Sequence, residues 1–211
     1  MHCPKAFEEN RTEVLLALIQ QHPLATIISH SQQGLEVNVM PVLVKQDGER
    51  IVLRGHLAKS NAQLQALAHS ETVLWVFQGP NAYVSPAWYP SKQLHGKVVP
   101  TWNYMLVEAQ GQVKVFTDED ELLCLVTDMT NGHEQQRASP WQVSDAPAQY
   151  VQSQLRGIVG IEMEVSQLSG KFKLSQNRSD EDQCGFVPAL PPKRPNTPNW
   201  PVSYTNPKLP T

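Results

Sequence analysis

The residues of this chain that could perform chemistry are concentrated in three short segments. In the first, RGHLAKSNAQL at 54–64, a predicted strand ends at Gly55–His56 and a predicted helix begins near Lys59–Asn61. The free backbone amides of a helix N-terminus suit a phosphate, to which Lys59 would add a full charge and Ser60 or Asn61 hydrogen bonds. His56 would be a buried donor or a phosphate contact, and helix capping alone explains Asn61 equally well.

Aromatic rings are grouped in the second segment, YVSPAWYPSK at 83–92 with VVPTWNY at 98–104. Prolines bracket Trp88, and a proline precedes Thr101 and Trp102, so the rings are expected on a stiff loop where a flat conjugated ligand would fit. Taken singly, each tryptophan is better explained as a core or lid residue. Nearby polar side chains favour a ligand site, and they are Ser85, Lys92, Thr101 and Asn103.

The third segment is KFKLSQNR at 171–178, in which strand alternation places Lys171, Lys173 and Ser175 on one face. A surface strand rich in lysine is the simple interpretation. The run that contains Ser175 and Gln176 has more hydrogen-bonding capacity than an exposed turn requires, which favours a binding site. The sequence contains no G-x-S-x-G, no H-E-x-x-H, no P-loop and no clear nucleophile–base pair, so whether the chain is an enzyme stays open.

Composition limits the classes of protein to which the chain can belong. It has 211 residues, of which 40% are hydrophobic and 18% charged, with a formal net charge of -3. Such a chain can bury a core in one domain with appendages or in two small ones, and it is not a disordered polyelectrolyte. We expect neither a membrane span nor a signal peptide, because no long apolar run exists and Glu8 and Glu9 stand near the start. Three widely separated cysteines without a C-x-x-C pair favour the cytoplasm over a disulfide framework or a zinc site.

Charge is unevenly distributed along the chain. Residues 54–104 sum to +3, whereas residues 105–150 hold eight carboxylates against two cations. This pattern predicts a small anion pocket beside a solvated acidic face, unless the charges cancel across neighbouring strands. A sequence pI near 6.2 argues against the broad basic surface with which proteins bind duplex DNA.

Hydrophobic periodicity predicts a mainly β protein with helices inserted between the strands (α+β). Helices are expected over 10–21 with Asn10 as N-cap, over 60–68, from Thr117 as N-cap to about Gly132, and over 146–155. Strands are expected over 24–29, 35–44, 51–55 and 72–79, the last buried on both faces. The segment 98–116 is expected to form two strands around Gly111, and 158–176 a closing hairpin. Six or more short antiparallel strands argue for a closed or nearly closed barrel, since closure removes exposed sheet edges.

Proline marks the end of the chain, because eight of the 17 prolines lie between Pro188 and Pro210. This stretch has no hydrophobic period and few backbone donors. We therefore divide the chain into a folded domain over 1–187 and a proline-rich extension over 188–211. The extension is either a floppy terminus or an arm that lies across a partner subunit, anchored by Trp200 and Tyr204.

Several long motifs, in order along residues 1–187, resemble the PaiB family of FMN-binding negative transcriptional regulators. The motif residues are Pro4, Phe7, GHLAKSN at 55–61, FQGPNAYVSPAWYPSK at 77–92, VVPTWNY at 98–104, His133–Glu134, Pro140–Trp141 and GKFKLSQNR at 170–178. The resemblance implies the FMN-binding split β-barrel, an antiparallel Greek-key barrel shared with pyridoxamine-phosphate oxidases and haem-utilisation proteins. It also implies a homodimer with the flavin near the subunit interface.

The same resemblance assigns candidate FMN-binding residues in three groups. Those at or near the phosphate and ribityl chain are His56, Lys59 and Asn61. Those lining the ring are Thr101, Trp102 and Asn103. Those approaching from the closing strands, from either subunit, are Lys173, Ser175 and Gln176. The chain departs from the family pattern at Val39, where a histidine commonly precedes the apolar-Pro pair.

Two functions are consistent with these observations. The first is a flavin-binding regulator that acts indirectly, because the sequence shows no helix-turn-helix with a basic recognition helix and the helix predicted over 117–131 is acidic. The second is a flavin-dependent oxidoreductase or a haem-utilisation-type enzyme, in which bound FMN accepts hydride and the protein supplies position and electrostatics. An empty barrel serving as a dimeric scaffold is a third alternative, which the concentration of aromatics and cations disfavours.

Overall fold

The computed structural model describes residues 1–32 and 34–186, and the extension predicted over 188–211 lies outside the described residues. The α-helices are α1 (Thr12–Gln21), α2 (Gln63–His69), α3 (Ser91–His95), α4 (Glu119–Glu134), α5 (Ala148–Leu155) and α6 (Asp180–Phe186). Short 3-10 helices span Lys5–Phe7, Pro86–Trp88 and Val143–Asp145. Four of the six helices lie where the sequence predicts them, and the exceptions are α3 and α6.

Two predicted helix caps are wrong by one residue. The first carbonyl acceptor of α1 is that of Arg11, which binds the Leu15 amide at 3.1 Å, so Asn10 is not the N-cap. The N-cap of α4 is Asp118, whose carboxylate accepts a hydrogen bond from the Glu121 amide at 2.9 Å. A carboxylate there accepts from a free amide, as the Thr117 hydroxyl could. Its negative charge also stabilises the positive end of the helix dipole, and a neutral hydroxyl lacks this effect.

The strands are β1 (Glu8–Glu9), β2 (Leu24–Ser31), β3 (Gly34–Pro41), β4 (Leu43–Asp47), β5 (Arg50–Ala58), β6 (Val73–Val84), β7 (Thr101–Phe116) and β8 (Ile158–Lys173). Their order in the sheet is β3-β2-β6-β7-β8-β5-β4, and β1 pairs with β8. The pairs β1–β8, β2–β3, β2–β6, β4–β5 and β5–β8 are antiparallel. Because β5 pairs with β8 and β2 with β6, the connections are of the Greek-key type.

The strand predicted over 35–44 is in fact two strands. Val42 separates them: its amide still donates to the Pro23 carbonyl beside β2, at 2.9 Å, and from Leu43 onward the chain pairs with a different strand. As a result β3 pairs with β2, whereas β4 pairs with β5. The strand predicted over 72–79 continues to Val84, and its side chains alternate between buried and more exposed positions, so it is not buried on both faces.

The predicted turn at Gly111 and the predicted hairpin over 158–176 are wrong, because β7 and β8 are each continuous for 16 residues. A Cβ atom at Gly111 would lie 2.0 Å from the Glu164 carbonyl oxygen. One at Gly170 would lie 2.3 Å from a methyl carbon of Leu15. These glycines therefore permit close approach of neighbouring atoms within a strand and do not form turns.

The chain divides into two compact units. Among the described residues, the barrel unit comprises 22–77 and 108–168, and the terminal unit comprises 1–21, 78–107 and 169–186. Each of β6, β7 and β8 contributes residues to both units. Within the barrel unit, a Cβ atom at Gly55 of β5 would lie 2.7 Å from the Pro41 carbonyl of β3. The first strand of the sheet order thus contacts the second-to-last strand, as closure of a barrel requires.

Each unit has its own buried side chains. In the barrel unit Ile27, Leu53 and Trp75 are fully buried, and in the terminal unit Leu15 and Ile19 of α1 are nearly so. A separate cluster packs α4 and α5 onto the end of β7 and consists of Phe116, Leu122, Leu125 and Leu155. Among the described residues, no helix combines the length and the apolar content that a membrane crossing needs.

Candidate functional site

The segment predicted to bind a phosphate joins β5 to α2 in the barrel unit. His56 is half-buried in β5, and its Nδ1 atom is buried without a hydrogen-bond partner among the described residues. Burial lowers the pKa of this imidazole below its usual value, so the ring is neutral near pH 7. Lys59 and Ser60 are exposed, and within the described part of the chain neither side chain forms a hydrogen bond or an ion pair.

The backbone of this segment is more fully hydrogen-bonded than the sequence predicts. The helix begins at Gln63, two residues beyond the predicted start at Lys59–Asn61, and the Lys59 amide donates to the Gly157 carbonyl at 2.8 Å. The N-cap position is Ala62, and the side-chain oxygen of Asn61 just before it accepts from the Gln63 amide, the first of α2, at 3.0 Å. Of the backbone amides of residues 59–65, only those of Ser60 and Ala62 have no hydrogen-bond partner among the described residues.

Gln63 is a residue that sequence reasoning missed, and it holds the start of α2 in place. Its side chain is 1% exposed and its Nε2 lies at hydrogen-bond distance from the carbonyls of Ile27 and Glu36, at 3.2 and 3.0 Å. Its side-chain oxygen accepts from Asn38 at 2.9 Å. A glutamine at the first position of a helix gives no sequence signal of burial, so only the contacts with β2 and β3 show it.

In the terminal unit the structure brings together five predicted residues, which we call the Lys173 cluster: Thr101, Trp102, Asn103, Lys173 and Ser175. The Lys173 ammonium donates to the Thr101 hydroxyl and, at 2.8 Å, to the Trp102 carbonyl. The Ser175 hydroxyl donates to the Asn103 side-chain oxygen at 2.9 Å, and both side chains are buried.

Burial lowers the pKa of Lys173 below that of a free lysine, and the neighbouring charges of Lys171 and Arg178 lower it further against an opposing effect of Tyr104. An ammonium that is both desolvated and close to other cations binds an anion more favourably than a solvated one. The cluster is therefore suited to a group that carries negative charge or electron-rich oxygens.

Ser175 has an unusual backbone conformation, because its φ of 65° lies in the left-handed region that residues other than glycine rarely adopt. The next residue, Gln176, folds back on the strand end, where its side chain accepts from the Leu174 amide at 2.7 Å and donates to the Phe172 carbonyl. Such conformations persist only where the surroundings hold them, and they are enriched at ligand sites.

The aromatic residues of the loop differ in exposure. Trp102 is 54% exposed and lies edge-to-face with Tyr83, with 6.0 Å between ring centroids and an interplanar angle of 71°. Trp88 is half-buried in the 3-10 helix that Ser85 caps, and Lys92 is exposed in α3. Among the described residues no hydrogen bond or ring contact joins Trp88 or Lys92 to the Lys173 cluster.

A contact between the aromatic segment at 83–92 and α6 was also missed from the sequence. The Ser91 amide and hydroxyl donate to the two carboxylate oxygens of Asp182, at 3.1 and 2.7 Å. Asp182 is only 4% exposed. The acidic run at 180–182 is a helix-start signal, and it could have indicated α6 but not its partner.

Arg54, which we counted toward an anion pocket, is neutralised by the protein itself. Its guanidinium forms ion pairs with Glu121 of α4 at 2.8 Å and Glu162 of β8 at 2.9 Å, and it lies over the Phe116 ring. The charge of Arg54 is therefore cancelled by carboxylates on neighbouring elements. This is the alternative to an anion pocket that the charge pattern of the sequence left open.

Comparisons with known proteins identify the family. Residues 1–167 match a family model described as "Putative FMN-binding domain". The Bacillus subtilis protein named Protease synthase and sporulation protein PAI 2 is 30% identical over 190 residues, which cover 90% of this chain and 89% of that protein. An uncharacterized protein of Emericella nidulans is 38% identical over 89% of each chain.

Two solved structures confirm the fold. The flavocytochrome Anf3 from Azotobacter vinelandii superposes with a TM-score of 0.58 at 15% identity, over 100% of this chain and 92% of that one. The FAD and heme binding protein from Mycobacterium smegmatis also gives a TM-score of 0.58, at 14% identity, over 79% of this chain and 73% of that one. The fold is the split β-barrel that the sequence motifs imply, a mainly antiparallel sheet with helices.

Each of the two groups of residues fits one part of a flavin mononucleotide. The exposed ammonium of Lys59 and the amide of Ser60, neither of which has a partner among the described residues, are donors of the kind that a phosphate requires, and His56 lies in the same segment. The exposed ring of Trp102 beside the Lys173 ammonium is suited to a flat, electron-poor conjugated ring that carries carbonyl oxygens. The chain therefore belongs to the PaiB-like family of FMN-binding proteins, and its cofactor is FMN.

Proposed function

We propose that this protein is a cytoplasmic FMN-binding homodimer that lowers gene expression without contacting DNA itself. The observation that carries the regulatory role is the 30% identity over 90% of the chain with the Bacillus subtilis protein named Protease synthase and sporulation protein PAI 2. The three cysteines are all free thiols, which supports a reducing compartment.

We assign the FMN-binding residues to two groups. Lys59, with His56, Ser60 and Asn61, would hold the phosphate and the ribityl chain. The residues proposed to hold or line the ring are Trp88, Lys92, Thr101, Trp102, Asn103, Lys173, Ser175 and Gln176. When bound, FMN supplies a reversible two-electron acceptor.

The contribution of the Lys173 cluster would be pre-orientation. The Lys173 ammonium is held by the Thr101 hydroxyl and the Trp102 carbonyl, and Asn103 is held by the Ser175 hydroxyl. Groups ordered in advance lose little conformational entropy on binding, so a larger share of their interaction energy appears as affinity.

A homodimer is supported by an exposed apolar face of the barrel unit. On β3, Leu35, Val37 and Val39 are 73%, 59% and 56% exposed, and Leu24 on β2 is 60% exposed. They share one face, because Val39 lies opposite Thr26, Val37 opposite Ile28 and Pro41 opposite Leu24 in the β2–β3 register. This face is mainly aliphatic, with His30 opposite Leu35 at one end, and such a face is costly in water and can be covered by a second copy of itself.

Indirect regulation is supported by the charge of the helices. The first turn of α4 contains Glu119, Asp120 and Glu121, and that of α6 contains Asp180, Glu181 and Asp182. Within residues 1–32 and 34–186, no α-helix carries more than one lysine or arginine. A recognition helix in the major groove would need cations at these positions to neutralise phosphates.

Deletion of the gene, followed by measurement of transcripts, tests the regulatory role. We expect a set of transcripts to rise, and the purified holoprotein to show no sequence-specific binding to the corresponding promoters at 50 or 200 mM salt. A specific complex whose affinity falls steeply with salt would overturn the indirect mechanism. Unchanged transcripts would overturn the regulatory role.

The second candidate is a flavin-dependent oxidoreductase or haem-utilisation-type enzyme, which the fold shared with a flavocytochrome and a FAD and heme binding protein favours. The holoprotein would then oxidise NADH or NADPH, or would shift the haem absorption band on mixing. Absence of both signals in a protein that visibly binds FMN would remove this candidate.

A further inference from the structure

A surface groove in the barrel unit is separate from every residue assigned to FMN. It lies between α4, the 3-10 helix Val143–Asp145 and α5, and its volume is about 680 Å³. Leu155 and Val151 contribute apolar surface, and Asn131, Gln142 and Gln152 contribute side-chain amides. Volumes of this size are typical of small-molecule sites.

Two motif pairs that the FMN site leaves unexplained hold one wall of this groove. The Glu134 carboxylate accepts a hydrogen bond from the Trp141 amide at 3.2 Å and forms an ion pair with Arg137 at 3.0 Å. The Gln142 amide donates to the Asp145 carboxylate at 2.8 Å. The loop over 135–142 is thus fastened at both ends, so the wall exists before any ligand binds.

The lining of the groove determines which ligand it can take. None of its eleven lining residues has an ionisable side chain. A charged ligand would lose hydration there without gaining an ion partner, which excludes the phosphate of FMN from this place. The side-chain amides of Asn131 and Gln152 make no hydrogen bond with the described residues and are available to a ligand.

We propose that this groove binds an uncharged, mainly apolar small molecule with hydrogen-bonding groups along one edge, and that its occupancy changes the affinity for FMN. The second half of this proposal rests on the proposed role of Lys59. Leu155 in the groove ends α5, and the Gly157 carbonyl two residues later accepts the hydrogen bond from the Lys59 amide. A shift of α5 on ligand binding would therefore reach the Lys59 segment directly.

The site is tested with Nile red, an uncharged apolar fluorophore with hydrogen-bond acceptors, titrated into the full chain. Ala148 lines the groove and is exposed, so Ala148→Trp fills it without disturbing a core. Gln149→Trp, one residue along α5 and outside the lining, is the matched control. We expect Ala148→Trp to weaken Nile red binding at least tenfold and the control to bind as the wild type does. Equal binding by the two variants would overturn the site.

Two further measurements separate the remaining alternatives. Displacement of Nile red by the anionic fluorophore anilinonaphthalene sulfonate would overturn the uncharged ligand class. Conversion of a dimer to a monomer by Ala148→Trp alone would show that a second copy occupies the groove, which also overturns the proposal.

The link to FMN is measured separately. We expect the Kd of Ala148→Trp for FMN to differ at least threefold from that of Gln149→Trp, and equal values would overturn the link. If Lys59→Ala leaves FMN binding unchanged, the assigned role of Lys59 fails, whereas the Nile red result stands on its own.

Discussion

Lys59 and Lys173 are both assigned to the same cofactor, yet their surroundings differ. Lys59 is exposed, and its side chain has no partner among the described residues. Lys173 is half-buried, with its ammonium held by the Thr101 hydroxyl and the Trp102 carbonyl. The difference separates two kinds of binding residue, one that becomes ordered when the ligand arrives and one that the fold has already ordered.

The same contrast extends to their neighbours. Near Lys173, Ser175 and Asn103 form a buried hydrogen bond, whereas near Lys59 the Ser60 side chain is exposed. Substitutions in the Lys173 cluster should therefore change stability as well as affinity, and those of the exposed residues Lys59 and Ser60 should change affinity alone. The following predictions test this difference.

The largest effect on folding is expected for Asn103→Leu. It leaves the buried Ser175 hydroxyl without its acceptor in a strained backbone, which should lower the free energy of unfolding by about 1–3 kcal/mol. Urea denaturation measures this value. Ser60→Ala in the other segment is the matched control and should change it by less than about 0.5 kcal/mol. Equal effects of the two substitutions would remove the distinction.

Lys59→Ala should weaken FMN binding by about 1–3 kcal/mol, the range for a hydrogen bond to a charged group. Because the side chain is exposed, the free energy of unfolding should hardly change. Flavin fluorescence titration measures the affinity. Lys45→Ala removes another exposed lysine of the barrel unit, paired with Asp128, and should leave FMN binding intact. An unchanged titration for Lys59→Ala would refute the phosphate assignment.

Trp102→Ala should cost less affinity than Lys59→Ala but should change the fluorescence of bound FMN, because an aromatic ring near a flavin quenches it. The exposed Trp141, which lies in the barrel unit, is the control and should have no such effect when replaced by alanine. A spectrum of Trp102→Ala identical to that of the wild type would place this ring away from the flavin.

The smallest effect is a pH dependence due to His56. Burial lowers its folded-state pKa, so between that value and about 6.5 the unfolded state binds the proton and the folded state does not. The free energy of unfolding therefore keeps its full value above about pH 6.5 and decreases as the pH falls toward the lowered pKa of His56. His56→Gln should flatten this part of the curve in unfolding experiments at pH 5 to 7.5. Lys59→Ala should keep the wild-type slope, and an unchanged slope in His56→Gln would show that other groups cause it.

The sequence predicted most of the helices because amphipathic periodicity is local. Leu15, Leu18 and Ile19 recur at helical spacing and are buried in α1, and the Asn61 side chain accepts from the first amide of α2, close to where the sequence predicts a helix start. The motifs also identified the split barrel and FMN, because a family resemblance over long segments indicates a particular fold and cofactor, whereas hydrophobic periodicity indicates only helices and strands.

Features that depend on distant contacts were predicted poorly. Gly111 and Gly170 resemble turn glycines, and only the Glu164 carbonyl and the Leu15 side chain show that they permit close packing inside continuous strands. Arg54 resembles a free cation until Glu121 and Glu162 are placed beside it. Gln63 gives no sign of burial before β2 and β3 surround it.

The sequence by itself determined the class of fold, the positions of α1, α2, α4 and α5, and the residues worth testing, because these follow from local spacing and from motif identity. The tertiary structure alone decided which donors are already bonded and which are free. Hydrogen bonds and ion pairs join residues far apart in the chain, as Lys173 with Thr101 and Lys59 with Gly157 do, so the local pattern around either partner cannot reveal them.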